Sequence, residues 1–311
     1  MSAQSSAIVP RRDLLSLLPA GLAWGMLGVA AFSLTVPLTR LALGGLDPLF
    51  IGAGRAVVAA ALAAGALAVT RQRLPRGRQW LRLAIVAGGV VAGFPLLTSY
   101  ALTEVPASHG AVVIAMLPAV TAVFAVLRTG ERPVPAFWVF AALGATAAVG
   151  FAVLHGGGAA HLERADLLLL VGVVLCALGY AEGGLISREL GSWQTISWAL
   201  VLAAPAMAAL TAVSLAEAPP SGTPVQWLCF AYLACISMFL GFFAWYRGLA
   251  IGPMAQVSQT QLSQPVLSIA WAGLLLGEQI TGATVLGGLA VVACAGGATA
   301  SRARTARARP S

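Results

Sequence analysis

The stretches PASHGAVVIAMLPAVTAVFAVLRTGE (residues 106–131) and PMAQVSQTQLSQPVLSIAWAGLLLGE (residues 253–278) carry one pattern. Pro106, Pro118 and Gly130-Glu131 return 147 positions later as Pro253, Pro265 and Gly277-Glu278. Both stretches read Pro, eleven residues, Pro, eleven residues, Gly-Glu, and a tyrosine (Tyr100, Tyr246) stands shortly before each. Agreement at four positions in register predicts a chain of two like halves.

Composition says what those halves dissolve in. Of 311 residues, 59% are hydrophobic and 9% charged, with a mean hydropathy of +0.90; soluble domains carry about 25% charged residues. A membrane span needs about 20 apolar residues. Ten apolar runs fit that length, at about 14–38, 48–70, 80–102, 107–127, 134–154, 165–187, 193–215, 225–246, 255–276 and 280–300. Gly- and Pro-rich punctuation separates them, as at Gly44-Gly45-Leu46-Asp47-Pro48 and Pro219-Pro220-Ser221-Gly222. The expected fold class is therefore an all-α integral membrane protein of ten transmembrane helices. No apolar run ends in a signal-peptide cleavage pattern.

Charge placement predicts the orientation. All 18 basic residues are arginines, and the formal charge is +8. Alternating ten spans from an inside N-terminus puts 15 of the 18 on the inner side, leaving Arg40, Arg55 and Arg164 outside or near outer ends. These arginines occupy loops rather than one soluble face, which excludes nucleic-acid binding as the reason for the basic balance. With five spans per half, an odd number, the second half enters the membrane upside down. Inverted repeats are a recurring plan of secondary transporters, with the substrate site between the halves. The expected organisation is an N-terminus (1–13), a first five-helix repeat (14–154), an external loop (155–164), a second repeat (165–300) and a basic tail (301–311). Both termini are expected in the cytoplasm of a bacterial inner membrane.

The paired Pro … Gly-Glu at the end of the fourth run of each half, with Trp24-Gly25 and Arg55, resembles the EamA-type branch of the drug/metabolite transporter superfamily. The resemblance covers about residues 14–300 and is most similar to YddG-type exporters of aromatic and other amino acids. It implies two inverted five-helix bundles around a central cavity, moving amino acids or similar amphipathic metabolites outward by alternating access. One departure is that Trp198 and apolar neighbours stand where the second half would need a counterpart of Arg55.

The 255–276 run is unusually polar, holding Gln256, Ser258, Gln259, Thr260, Gln261, Ser263, Gln264 and Ser268. At α-helical spacing Gln256, Gln259, Thr260, Ser263 and Gln264 share a face about 140° wide, with Ser258 opposite and Gln261 at its edge. Amides are costly against lipid, so this face is expected to line a cavity or to pack on another helix. The equivalent positions of the 107–127 run include Val113, Met116 and Leu117, an apolar wall. Such a pair of walls suits a solute with a polar head and an apolar side chain. Trp24, Phe94, Tyr100, Tyr180 and Trp271 are the further aromatic candidates for the substrate site, against the plain reading of packing or interfacial anchors.

Glu182, Arg55 and His109 are candidates for coupling or gating, because ionisable groups inside a membrane are functional by default. For Glu182 the alternative is a pair with Arg188, six residues on and poorly placed, or exposure at the inner mouth. For Arg55 it is snorkelling or a pair with Asp47, and for His109 a plain helix-end role. Pro118 and Pro265 interrupt helices and are candidate hinges. Cys176, Cys229, Cys235 and Cys294 lie in apolar runs without metal-ligand spacing, and no metal or cofactor is expected. There is no Walker loop, no Gly-x-Ser-x-Gly and no His-Glu-x-x-His, so neither ATP-driven pumping by this chain nor a membrane enzyme has a visible site. The expected partners are a small-molecule substrate and membrane lipid, with the chain acting as a monomer. A transporter of the same fold for another solute (a drug-like cation or a sugar derivative) and a non-transporting scaffold or receptor remain the alternatives.

Overall fold

The computed structural model describes residues 20–129, 163–252 and 254–307, with short helical pieces inside 135–147. Every regular element among the described residues is a helix. Seven are long and apolar enough to cross a membrane: α1 (Ala20–Ala42), α2 (Phe50–Val69), α3 (Arg78–Glu104), α4 (Ala107–Arg128), α5 (Arg164–Leu190), α6 (Ser192–Glu217) and α7 (Pro224–Ile251). Next comes α8, three pieces in series, Met254–Ser258, Gln259–Leu262 and Ser263–Leu276. Last comes α9 (Gly282–Arg307), whose apolar part is Gly282–Cys294. The 134–154 run falls largely outside the described residues, as do 1–19 and Gly130-Glu131. Large apolar side chains such as Leu27, Leu228, Leu274 and Leu286 are more than half exposed. A surface of that kind fits lipid, and the chain is a multi-pass membrane protein.

Glycine contacts explain how the helices approach. A Cβ on Gly248 of α7 would lie 2.8 Å from Gly25 N and 2.9 Å from Gly21 O of α1, so the two backbones touch. Gly28 of α1 packs against the backbone of Trp245, and Gly183 of α5 against the ring of Tyr246. Lipid tails are as apolar as leucine, so close packing of small residues is what holds such helices together. The main pairings are α1 with α7, α3 with α5, α2 with α6, α4 with α5, α1 with α8, and α4 with α8.

Helices α2, α3, α4, α7 and α8 carry irregular turns. Wide π-helical turns occupy Phe50–Gly54 in α2, Ala87–Gly93 in α3 and Leu233–Leu240 in α7. The first two are rich in glycine, which lacks the side chain that would stiffen a regular turn. In α8 the turn Gln259–Leu262 is a tight 3₁₀ helix just before Pro265, and α4 breaks at Ala115-Met116 just before Pro118. A proline cannot supply the hydrogen bond that would keep the preceding turn α-helical.

Candidate functional site

A cavity of about 30 Å³ lies where these irregular turns converge. It sits near the middle of α1, α3, α4, α5, α7 and α8. Its aromatic wall is Phe32 of α1, Phe94 of α3, Tyr180 of α5 and Phe242 of α7. Three of these rings pack together, Phe32 to Phe242 with centroids 4.8 Å apart and Tyr180 to Phe242 at 6.0 Å. Polar groups complete the lining: Thr35 and Ser237, whose hydroxyls share a 2.7 Å hydrogen bond, Cys176, Gln264 and Arg55. The Oε1 of Gln264 is buried without a hydrogen-bond partner. Arg55 stands immediately after the wide turn of α2 and is 1% exposed. A smaller cavity, about 10 Å³, adjoins between α4 and α8 and shares Val36, Leu117 and Gln264 with the first. Pro118, Gln261 and Pro265 also line it, and both amide atoms of Gln261 are buried and unpartnered.

Each end of the bundle carries its own ionic cluster. At the arginine-rich end, Glu182 of α5 is 1% exposed and accepts from Arg82 Nε of α3 at 3.0 Å and from Arg128 Nε of α4. Arg82 also reaches Glu189 at 2.6 Å. One carboxylate thus ties three helices together. At the opposite end, His109 Nε2 of α4 meets Asp166 Oδ1 of α5 at 2.7 Å, both buried. His109 borders a cleft of about 430 Å³ that Glu104, Glu163 and Glu278 make acidic.

The repeated motif has a physical role at this second end. Gly277 adopts φ +65, ψ 20, a left-handed conformation that glycine takes without strain, and it ends α8. The turn carries Glu278 to the N-terminus of α4, where its carboxylate accepts from Ala107 N at 2.8 Å and Ser108 N at 2.9 Å. Those amides have no partner inside the helix, and the helix dipole favours an anion there. The Gly-Glu of the second block therefore closes on the residues after Pro106 of the first.

A family model described as the EamA-like transporter family matches residues 19–153 and again 163–298. The chain belongs to the EamA-like transporter family. It is 46% identical over 271 residues to "Uncharacterized transporter YdeK" of Bacillus subtilis (strain 168), covering 87% of this chain and 93% of the relative. It is 27% identical over 274 residues to "Probable terminal-alkyne amino-acid exporter" of Streptantibioticus cattleyicolor, covering 85% and 89%. A solved chain described only as "Crystal structure of protein" shares the fold, with a TM-score of 0.64 at 20% identity over 92% of this chain and 98% of that one. This EamA-like protein is a transporter and not an enzyme, and a transporter of this family takes a small-molecule substrate.

Of the residues read from sequence, this transporter gathers Phe94, Leu117, Tyr180, Gln264 and Arg55 at the central cavity, with Pro118 and Pro265 beside the smaller one. Others lie elsewhere. Trp24 is 41% exposed on the outside of α1, and Tyr100 is 36% exposed near the end of α3. Val113 and Met116 pack in the core of α4. Thr260 and Ser263 spend their hydroxyls on carbonyls of their own helix, Val257 and Thr260. Thr260 packs against Gly25 of α1, so these two face a neighbouring helix rather than the cavity. Trp271 donates its indole N–H to Ser33 of α1 at 3.2 Å. The side chain of Gln256 lies outside the described residues.

Two alternatives weighed from the sequence do not hold. Glu182 pairs with Arg82 and Arg128, not with Arg188. Asp47 does not reach Arg55; it accepts from Ser214 at 2.6 Å and from the backbone of Leu49 and Phe50. Phe32, Phe242, Thr35 and Ser237 were missed. Their only signal was a place inside an apolar run, which most of their neighbours share.

Proposed function

We propose that this EamA-like protein exports amino acids, aromatic and other apolar ones among them, or similar amphipathic metabolites, by alternating access. The carrying observation is the central cavity, where an aromatic wall faces Gln264, Thr35 and Ser237 at the irregular turns. An amphipathic solute finds apolar surface and hydrogen-bond partners there, and the likeness to a probable amino-acid exporter points the same way. At about 30 Å³ the cavity is roughly a tenth of the smallest usual ligand pocket. Loading therefore requires one end to open. The Arg82–Glu182–Arg128 cluster and the Glu278–α4 contact are the latches on the two routes, with the breaks before Pro118 and Pro265 as hinges.

The proposed architecture is ten helices in two inverted five-helix repeats, 14–154 and 165–300. Helix packing supports it. Exchanging the halves turns the α1–α7 pairing into α5–α3 and α4–α5 into α8–α1, and returns α2–α6 and α4–α8 to themselves. The wide turn at Ala87–Gly93 maps onto Leu233–Leu240 under the 147-residue shift. We place the protein as a monomer in a bacterial inner membrane with the arginine-rich end in the cytoplasm. A reporter fused after Arg309 is then expected to read cytoplasmic and one inserted at Gly157 external. Reversal of either reading overturns the topology.

Proteoliposomes and labelled amino acids test the function. Phenylalanine or leucine should move faster than through protein-free vesicles, and equal rates would refute export. Gln264→Ala should slow transport about tenfold, the size of one lost hydrogen bond in a dry site. Thr260→Ala and Ser263→Ala should stay within about twofold of the parent, since their hydroxyls serve their own helix. Equal damage from all three would move the site off this cavity.

A further inference from the structure

Among the described residues Arg55 is the one charged side chain lining the central cavity, and its Nε is left without a partner. Among the described residues it has no ion pair, and its Nε has no acceptor. The other arginines within the described spans are either paired or exposed, as Arg78, Arg188 and Arg247 are. Arg40 donates to the carbonyl of Leu102 at 2.6 Å, and Arg82 and Arg128 share Glu182. A guanidinium stays charged, and leaving it dry and unpaired is costly. A side chain kept only for packing would be better served by an apolar residue. Its surroundings define what would satisfy it. Among the described residues no aspartate or glutamate lines the cavity, so no carboxylate there answers the guanidinium in this conformation. A single cation matches a monoanion; a phosphate dianion would call for a second one. Beside Arg55 stand the open Oε1 of Gln264, which accepts from a donor such as an ammonium, and the aromatic wall.

Building on the amino-acid reading above, we propose that Arg55 binds the substrate's carboxylate, so that the transported solutes are carboxylate-bearing amphipaths rather than amines or neutral drugs. The carboxylate lies on Arg55, an α-ammonium on Gln264, and the side chain against Phe32, Phe94, Tyr180 and Phe242. Charge-assisted bonds of this kind separate a solute from an analogue lacking the carboxylate by about a hundredfold.

The experiment compares phenylalanine with its decarboxylated amine, phenethylamine, and with phenylalanine amide, in proteoliposomes of the unmodified protein and of Arg55→Lys and Arg55→Met. Thermal melting in detergent is recorded with and without benzoate and phenylacetate. The parent should move phenylalanine about a hundredfold faster than either analogue. Arg55→Lys should keep part of that preference and Arg55→Met none. Arg55→Met should melt at or above the parent, because an unpaired buried charge is gone, and carboxylates should raise the melting point of the parent alone. Equal transport of amine, amide and acid by the parent would overturn the proposal, as would normal phenylalanine transport by Arg55→Met. An early-melting Arg55→Met would instead make the residue structural and overturn it. If the parent moves none of the three solutes, the amino-acid reading falls. The carboxylate site then stands if benzoate stabilises the parent and not Arg55→Met, and falls if it stabilises both or neither.

Discussion

Glu182→Gln should destabilise the transporter by about 3 kcal/mol, the low end for breaking a buried ion pair. The low end applies because Arg82 and Arg128 are 20% and 46% exposed and can rehydrate once released. Single removals on the other side should cost less. Arg128→Gln or Arg82→Gln leaves the carboxylate one guanidinium, so each should cost about 1 kcal/mol. The double variant strands a carboxylate that is 1% exposed, and its cost should exceed the sum of the singles. Chemical denaturation of the detergent-solubilised protein measures all four. Additive singles, or a Glu182→Gln protein as stable as the parent, would mean that the cluster is not a latch. The same cluster ties α3 and α4 to α5, so Glu182→Gln should also speed thiol labelling of Cys176, which lines the cavity, in a background lacking the other three cysteines. Unchanged labelling would separate stability from gating.

Gly248→Leu should prevent α1 from docking on α7 and leave little folded protein. The first side-chain carbon would press on Gly25 N, Gly21 O and Gly25 Cα at 2.8, 2.9 and 3.1 Å, all backbone atoms. Overpacking against movable side chains costs about 1–3 kcal/mol. Here there is no rotamer to yield, so the loss should lie at or beyond the top of that range. Gly65→Leu, where nothing lies within 4 Å of a new Cβ, is the control and should fold normally. Folded yield and melting temperature for the pair decide the matter. A Gly248→Leu protein that folds and melts like the Gly65→Leu control would contradict the backbone contact.

Much of the site was legible in the chain because lipid makes polarity conspicuous. Arg55, Gln264, Phe94 and Tyr180 stood out as polar or aromatic residues within apolar runs and Leu117 as part of the apolar wall opposite the polar face, and the cavity gathers all five. The face of the 255–276 run was only partly legible. An α-helical wheel assumes even rotation, but Gln259–Leu262 is wound as a 3₁₀ helix, with three residues per turn. Over four residues that adds about 80° of rotation. Gln261, placed at the edge by the wheel, turns inward with Gln264, while Thr260 and Ser263 turn toward α1. The partners of Glu182 were illegible for another reason. Arg128 and Arg82 lie 54 and 100 positions away, and helix-surface spacing finds only neighbours three or four residues along.

The chain by itself determined the solvent, the helical class, the two-block repeat and the family. Each is a statistical property of many residues: apolar runs long enough for a bilayer, and four positions in register. It also determined that something must occupy the amides and the arginine inside those runs, since lipid satisfies neither. Which groups meet was decided only in three dimensions. The repeat announced Gly-Glu as a unit, but the left-handed turn at Gly277 and the N-terminus of α4 show why. The glycine ends one helix, and the glutamate satisfies the open amides of another, 170 residues away. Arg82 and Arg55 look alike as arginines within apolar runs. One is neutralised by Glu182 and the other has an Nε without a partner in the cavity, a difference made by how α3, α4 and α5 pack at one end and by the lack of an acid among the described residues at the centre.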